Sequence, residues 1–416
     1  MTGCLFLASF GFLKGLPKRL AVIGGGPAGL RVAEVASAAG VEVTLYEAKR
    51  SVGRKFLVAG KGGFNITHAE ELETFVTRYR GPEQPEGFWG RVVGAFDNQK
   101  IRGWAARLEV GTFVAKSGRV YPKALKAAPL LRAWVKRLKE QGVAFEVKHR
   151  LVGLEGGDRH CLRFEHEDEE VLVEADAVVL AMGGGSWPQT GSDGRWLDLL
   201  ENLGIEVTPL TAANCGWEVA WPQEFLLKHE GKALKNLNLR VGEEEVRGEL
   251  VITRYGLEGG PIYQLGPTLK SQREPRLEID FKPTFTEEKL VAKMESARRN
   301  FLGEARMRWK LSEEACAILE WLFGPFHSAE ELASVTKSCS LPLVQPRPIA
   351  EAISSAGGVA WKELDENLML KSQPGLFVAG EMIDWEAPTG GYLMQGCFAT
   401  GTLVGEAVVA RLRGKE

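Results

Sequence analysis

A chain of 416 residues with 44% hydrophobic and 25% charged side chains buries large cores and is long enough for two or three domains, which excludes a disordered or fibrous protein. Its net charge of -2 supplies no overall attraction to nucleic acid or to anionic membrane, so neither is expected as a partner. The six cysteines (Cys4, Cys161, Cys215, Cys316, Cys339 and Cys397) include no C-x-x-C pair and the six histidines show no metal-ligand spacing, so free thiols, a reducing cytoplasmic setting and no metal are expected.

Residues 1–13 are apolar, but no Lys or Arg precedes the run and it is too short to cross a bilayer. It reads as an extension ahead of the first strand. Residues 20–30, Leu-Ala-Val-Ile-Gly-Gly-Gly-Pro-Ala-Gly-Leu, then place a G-x-G-x-x-G spacing between an apolar strand and a helix. Gly24 serves the tight turn, Gly26 lets backbone approach a pyrophosphate, and Gly29 lets the helix close on the strand. The helix opening at Pro27 and Ala28 aims its free amides and positive dipole end at the phosphates. A second apolar run ends at Glu47 and Ala48, and Glu47 stands about 20 residues past the glycines, where a carboxylate accepts hydrogen bonds from an adenosine ribose. Strand, glycines, helix and acid together predict a dinucleotide cradle.

Residues 53–67 form a Gly-rich basic loop, and residues 123–141 predict a helix. Residues 143–147, 149–154, 160–166 and 170–174 alternate apolar and polar side chains and predict a short antiparallel meander. Residues 177–181 are wholly apolar and run on into Gly183 and Gly184, which suits a central parallel strand whose carboxyl end abuts a cofactor. From 196 to 344 the texture changes: half-buried strands are predicted at 249–253 and 277–281, with a stretch rich in Gly and Pro at 255–267. Helices follow between 284 and 327, where Thr284 with Glu287 and Ser328 with Glu331 fit capping boxes. The cluster Arg298, Arg299, Arg306, Arg308 and Lys310 reads as a solvated helix face, and Pro342, Pro346 and Pro348 mark a linker back to the first domain.

The last block returns to cofactor chemistry. Residues 376–381 form an apolar strand ending at Gly380 and Glu381, Asp384 follows, and Gly390-Gly391-Tyr392 open a helix reaching about residue 412. This arrangement favours FAD over NAD. A reduced flavin is anionic near N1 and the C2 carbonyl, and a helix N-terminus delivered there stabilises that charge. Gly390 and Gly391 let the backbone close on the ring without intervening side chains.

Taken together, these blocks resemble the BaiN-like NAD(P)/FAD-dependent oxidoreductases, also labelled aminoacetone oxidase family FAD-binding enzymes. The resemblance rests on Gly24 to Gly29 with Glu47, Gly53-Arg54-Lys55 with the loop 60–67, and Gly118-Arg119-Val120-Tyr121-Pro122. It continues through Gly183-Gly184 with Ser186-Trp187-Pro188, Thr190 to Gly194, Ala356 to Val359, and Gly380-Glu381 with Asp384 and Thr389 to Tyr392. It implies an α/β fold: a Rossmann-like FAD-binding domain built from both chain ends (19–195 and 345–416), an inserted β-barrel-like domain (196–283 and 336–344) and a small helical domain (284–335). By the same resemblance Arg54 and Lys55 lie near the pyrophosphate, Asn65 and Thr67 near the flavin, Gly380, Glu381 and Asp384 near the ribityl chain, and Gly391 and Tyr392 beside the isoalloxazine, with Gly62, Gly183, Gly184 and Gly390 also counted as cofactor-binding. The chain departs from the family pattern where Gly63-Phe64 replace a common Arg-Cys before Asn65, and where Met182 replaces a Thr, which points to a distinct subgroup.

The expected function is a cytoplasmic FAD-dependent oxidoreductase moving a hydride between flavin N5 and a small organic molecule, with transient NAD(P)H as electron donor. No second cradle for a nicotinamide is visible, so an amine oxidase using oxygen stays open, as do a non-catalytic flavin sensor and an NAD-linked dehydrogenase using the first cradle alone. No side chain is assigned as catalytic acid or base; Lys61, Tyr121 and Tyr392 are candidates for proton handling.

Overall fold

Five parallel strands lie side by side in the order Leu376–Val378, Ala177–Leu180, Arg19–Ile23, Glu42–Glu47, Ala144–Val147, so the two chain ends share one sheet. This computed structural model describes residues 18–59, 63–157 and 159–414; the apolar run 1–13, Cys4, Lys61 and Gly62 lie outside the described residues. The inner strands Arg19–Ile23 and Ala177–Leu180 are buried almost throughout, which is why their sequences are continuous apolar runs rather than alternating ones.

The strand Ala144–Val147 does not belong to the meander, contrary to the sequence expectation. It follows the helix Ala127–Glu140, and that crossover returns the chain to the parallel sheet beside Glu42–Glu47. The antiparallel sheet that remains has three strands, Arg150–Glu155, His160–His166 and Glu169–Ala175.

On one face of the parallel sheet the first helix, Pro27–Ala38, packs against the C-terminal helix, Tyr392–Leu412. Gly401 and Gly405 permit the approach: a Cβ on Gly401 would lie 2.7 Å from the carbonyl oxygen of Ala28, and one on Gly405 2.7 Å from the Cβ of Val35. The C-terminal helix is long and apolar enough to cross a membrane by composition, but most of it is buried in this core.

Six antiparallel strands form the inserted sheet, in the order Trp217–Glu218, Gly256–Glu258, Glu244–Ile252, Ala233–Val241, Arg276–Asp280, Cys339–Pro342. The proline-containing segment after it is more than a linker. Val344 N donates to the carbonyl of Glu218 and Glu218 N to that of Gln345, each at 2.9 Å, so the segment continues the last strand onto the first and closes the sheet into a barrel.

The helices Glu287–Lys293, Phe301–Arg308, Glu313–Phe323 and Ala329–Lys337 share one core with the barrel, Leu290, Ile318 and Leu319 meeting Leu239 and Ile279. The first of them is capped by Thr286, whose hydroxyl accepts from Lys289 N, rather than by Thr284. Ser328 caps the last by accepting from Glu331 N at 3.0 Å, and the Glu331 carboxylate takes the amide of His327. The two cores meet later than residue 196, because Trp196, Leu200 and Ile205 pack into the first one. The junction is the strand pair Val207–Ala213 with Ser354–Val359.

A buried acid ties the first core together. Glu34, 6% exposed, accepts from the indole N–H groups of Trp104 (2.9 Å) and Trp134 (3.1 Å) and from Arg31 (3.0 Å), while Arg31 also reaches Thr402 on the C-terminal helix. Glu34→Leu leaves a buried guanidinium and two indoles without their acceptor. It is expected to destabilise the protein by about 3 kcal/mol or more, read as a lowered midpoint of urea unfolding.

Candidate functional site

At the carboxyl end of the strand Arg19–Ile23 the chain turns through Gly24, with φ +108°, where a Cβ would collide with the carbonyl oxygen of Ala181. A Cβ on Gly29 would collide with the carbonyl oxygen of Gly24, so turn and helix touch backbone to backbone. Gly26 differs: a Cβ there meets nothing within 4 Å, because the residue faces open space. It is also the N-cap of the first helix, and neither a side-chain cap nor a first-turn acid satisfies the amides behind it. The geometry is that of an anion cradle.

Glu47 stands beside it. One carboxylate oxygen accepts from Gly25 N at 2.9 Å and the other from Lys49 N at 2.8 Å, which fixes the side chain and leaves lone pairs for hydroxyl donors. Burial raises the pKa of this carboxyl, and the two amides hold it back. Gly53, with φ +67°, caps the short helix Arg54–Val58, where the two adjacent cations part ways. Lys55 is already paired, donating to Glu381 at 2.9 Å and to Ser186 Oγ at 2.7 Å. Arg54 Nε is buried without a partner, an orphaned donor at the rim of the cradle.

These groups line one cavity enclosing about 1040 Å³ of space up to its mouth. Of the residues expected at the cofactor, it gathers Gly24, Gly26, Pro27, Ala28, Glu47, Ala48, Arg54, Lys55, Gly183, Gly380 and Glu381. Sequence reasoning did not assign His149, Arg150, Ser192 and Trp196, which also line it. The usable signal for His149 is sheet order: the strand before it, Ala144–Val147, neighbours Glu42–Glu47, so its exit emerges beside Glu47, and His149 N donates to the carbonyl of Glu47 at 3.0 Å.

A second group lies apart from this cavity. Gly391, with φ +106°, is the N-cap of the C-terminal helix, and a Cβ there would lie 2.5 Å from the backbone of Thr67. Again no side chain caps the helix and no acid sits in its first turn. Asn65 Nδ2 is buried without a partner, a second orphaned donor. Thr67 donates to Gln395 at 2.7 Å and Tyr392 to Glu70 at 2.8 Å; burial together with Glu70 holds the Tyr392 proton in place. Gly184 is pressed onto Ser355 and Gly390 onto the Tyr392 ring. Asp384 stands outside the cavity lining, buried against Thr208 and Gly357, where burial raises its pKa.

Two uncapped helix N-termini, two orphaned buried donors and a carboxylate fixed by two backbone amides fit an extended dinucleotide with an anionic middle and an electron-accepting end. The molecule is a FAD-dependent oxidoreductase with a Rossmann-like cofactor domain. The chain belongs to the family described as HI0933-like protein Rossmann domain, which it matches over residues 18–407. It is 27% identical over 427 residues to the 3-dehydro-bile acid delta(4,6)-reductase of Clostridium scindens, covering 94% of this chain and 99% of that protein. It is 22% identical over 389 residues to the ribosomal RNA dihydrouridine synthase of Haemophilus influenzae, covering 90% and 94%. Its fold is shared with the 3-ketosteroid-delta4-(5alpha)-dehydrogenase of Rhodococcus jostii RHA1 (TM-score 0.52, 16% identity, 95% and 98% covered). It is shared equally with a flavocytochrome c3 fumarate reductase (TM-score 0.52, 15% identity, 96% and 79% covered).

Gly26→Leu fills the open space of the cradle without touching the core. It is expected to give protein of normal thermal stability in the apo form that fails to take up FAD, whereas Glu47→Ala weakens FAD binding about tenfold through the lost ribose acceptor. Flavin absorbance after gel filtration and titration calorimetry with FAD check both.

Proposed function

We propose that this protein is a cytoplasmic NAD(P)H-linked reductase that delivers a hydride from flavin N5 to a carbon-carbon double bond in a small organic molecule. The observation that carries the reading is the uncapped N-terminus of the 21-residue C-terminal helix, brought by Gly391 onto the backbone of Thr67. Bound between the two helix ends, FAD supplies two-electron chemistry, with a reduced form that is anionic at its pyrimidine edge.

The residues of the chain do the rest. The amides behind Gly26 and the free Nε of Arg54 hold the pyrophosphate, and Glu47 holds the ribose. The amides behind Gly391 stabilise negative charge where it develops, and Asn65 offers a donor at the same end. The curated relatives support the direction of electron flow. One is named a reductase of a dehydro bile acid, the other a synthase of dihydrouridine; both names describe a more saturated product. The net charge of -2 favours a small molecule over RNA as the substrate here. With one dinucleotide cradle among the described residues, NAD(P)H would bind transiently and leave before the substrate is reduced.

Mixing the yellow enzyme with NADPH under nitrogen is expected to bleach the flavin absorbance within a single turnover. If neither NADPH nor NADH bleaches it while a primary amine does, with peroxide formed on admission of air, the protein is an amine oxidase instead.

A further inference from the structure

A second, smaller cavity lies where the two cores meet. Its walls come from the segment following the helix Leu72–Val76 (Arg78 and Arg80), the connection after the strand Val207–Ala213 (Asn214), the helix Gly260–Gln264 and the loop that leads into the C-terminal helix (Glu386). It encloses about 440 Å³ of space up to its mouth.

One stretch of chain builds both this cavity and the flavin-side helix end. Arg80 and Glu386 exchange backbone hydrogen bonds at 2.9 and 2.7 Å. The hydroxyl of Tyr79, the residue before Arg80, donates to the carbonyl of Tyr392 at 2.8 Å, at the first turn of the C-terminal helix. Glu386 precedes Gly390 by four residues.

Charge and hydrogen bonding define what the cavity accepts. Both arginines are already committed, Arg78 to Glu70 at 2.6 Å and Arg80 to Glu244 at 3.1 Å, so no unpaired guanidinium calls for an anionic ligand. Asn214 donates to Ala387 and Ser354, each at 2.8 Å. Among the described residues the side chains of Gln264 and Glu386 have no hydrogen-bond or ion-pair partner, the Tyr263 phenol oxygen takes the Gly259 backbone amide and keeps its own proton to donate, and all three side chains line the cavity. A large apolar nucleus would leave these groups dehydrated and unpaired, whereas a small neutral carbonyl compound satisfies them.

We propose that this cavity is the substrate site of the reductase, that it takes a small neutral α,β-unsaturated carbonyl compound, and that Glu386 is its proton donor. The inference rests on the reductase reading above. The β-carbon receives the hydride that a reduced flavin, replenished by reduced nicotinamide, would supply. The π electrons move onto the carbonyl oxygen, where the Tyr263 hydroxyl donates to the enolate. The Glu386 carboxyl then gives its proton to the α-carbon, the carbonyl re-forms, and the resulting carboxylate recovers a proton from water. The balance is one hydride and one proton added across one double bond.

The surroundings of Glu386 suit an acid. Burial raises its pKa; Lys270 and Arg80 pull it down and Asp384 pushes it up. Arg78 and Tyr263 are the other titratable groups in the cavity, and burial beside Glu258 pushes the Tyr263 phenol up to about 12, so it stays protonated.

The test uses FAD-loaded enzyme reduced with one equivalent of dithionite under nitrogen, which makes it independent of NADPH. Cyclohexenone is expected to reoxidise the wild type, with a rate that is highest at low pH and falls as pH rises through the Glu386 pKa. Glu386→Gln is expected to slow that reoxidation about 100-fold or more and to flatten its pH profile, with flavin content unchanged. Tyr263→Phe is expected to weaken binding of cyclohexenone to the oxidised enzyme several-fold, followed by tryptophan emission. The proposal is overturned if cyclohexenone leaves the reduced wild type unoxidised, if Glu386→Gln reoxidises at the wild-type rate, or if 4-androstene-3,17-dione, the steroid bound by the Rhodococcus fold relative, reacts as fast as cyclohexenone. Failure of NADPH to bleach the wild type sinks the reductase reading alone.

Discussion

Backbone contact between the first and last helices is the constraint on which the site depends. Gly401 and Gly405 let the two helices approach until side chains at these positions would collide with Ala28 and Val35. The same packing sets the strand Leu376–Val378 at the edge of a sheet begun more than 350 residues earlier in the chain. Once that contact forms, two helix N-termini separated by most of the sequence open along one side of the sheet. Each contributes unsatisfied amides and neither is capped by its own side chains. A ligand with negative charge at two places is what such a pair of ends can hold.

Charges around the cradle divide into those already used and those kept free. Lys55 and Glu381 neutralise each other across the two halves of the cofactor domain, which clamps the late strand to the early loop. Arg54 keeps a buried donor unpaired, and that cost is recovered only when an acceptor arrives. Glu70 plays the clamping role at the other end, taking Arg78 on one side and the Tyr392 hydroxyl on the other. Structural ion pairs therefore hold the frame, while Arg54 Nε and Asn65 Nδ2 are left without protein partners.

Much of this frame was legible in the sequence because its signals are local. The glycine spacing, the acid after the second strand and the Gly-Gly pair before the last helix each state a backbone requirement, and each falls on the element foreseen for it. What escaped was set by long-range pairing. The strand Ala144–Val147 carries the same alternation as the meander that follows it, and only its crossover helix assigns it to the parallel sheet. Thr286 won the cap from Thr284 by geometry that a two-residue shift in an equivalent motif cannot reveal. Asp384 carries the right chemistry for a ribityl contact, yet the strand pair at the junction claims it, through Thr208 and Gly357. The return segment 342–348 looked like a linker because prolines interrupt it, but its remaining amides are enough to close a barrel.

That closure bears on how one cofactor frame serves different substrates. The cradle is assembled wholly within the first core, from the backbone of the glycine turn together with the Glu47 carboxylate and Arg54. The cavity at the junction instead draws on both cores: its wall includes Tyr263 and Gln264 from the inserted domain, positioned by a helix that packs on the barrel strand Glu244–Ile252. Substitutions in that helix alter the wall without changing any residue that lines the larger cavity. Relatives named for a bile acid and for a nucleoside in ribosomal RNA are compatible with one frame, because the glycine cradle and the wall of the junction cavity lie on different parts of the chain.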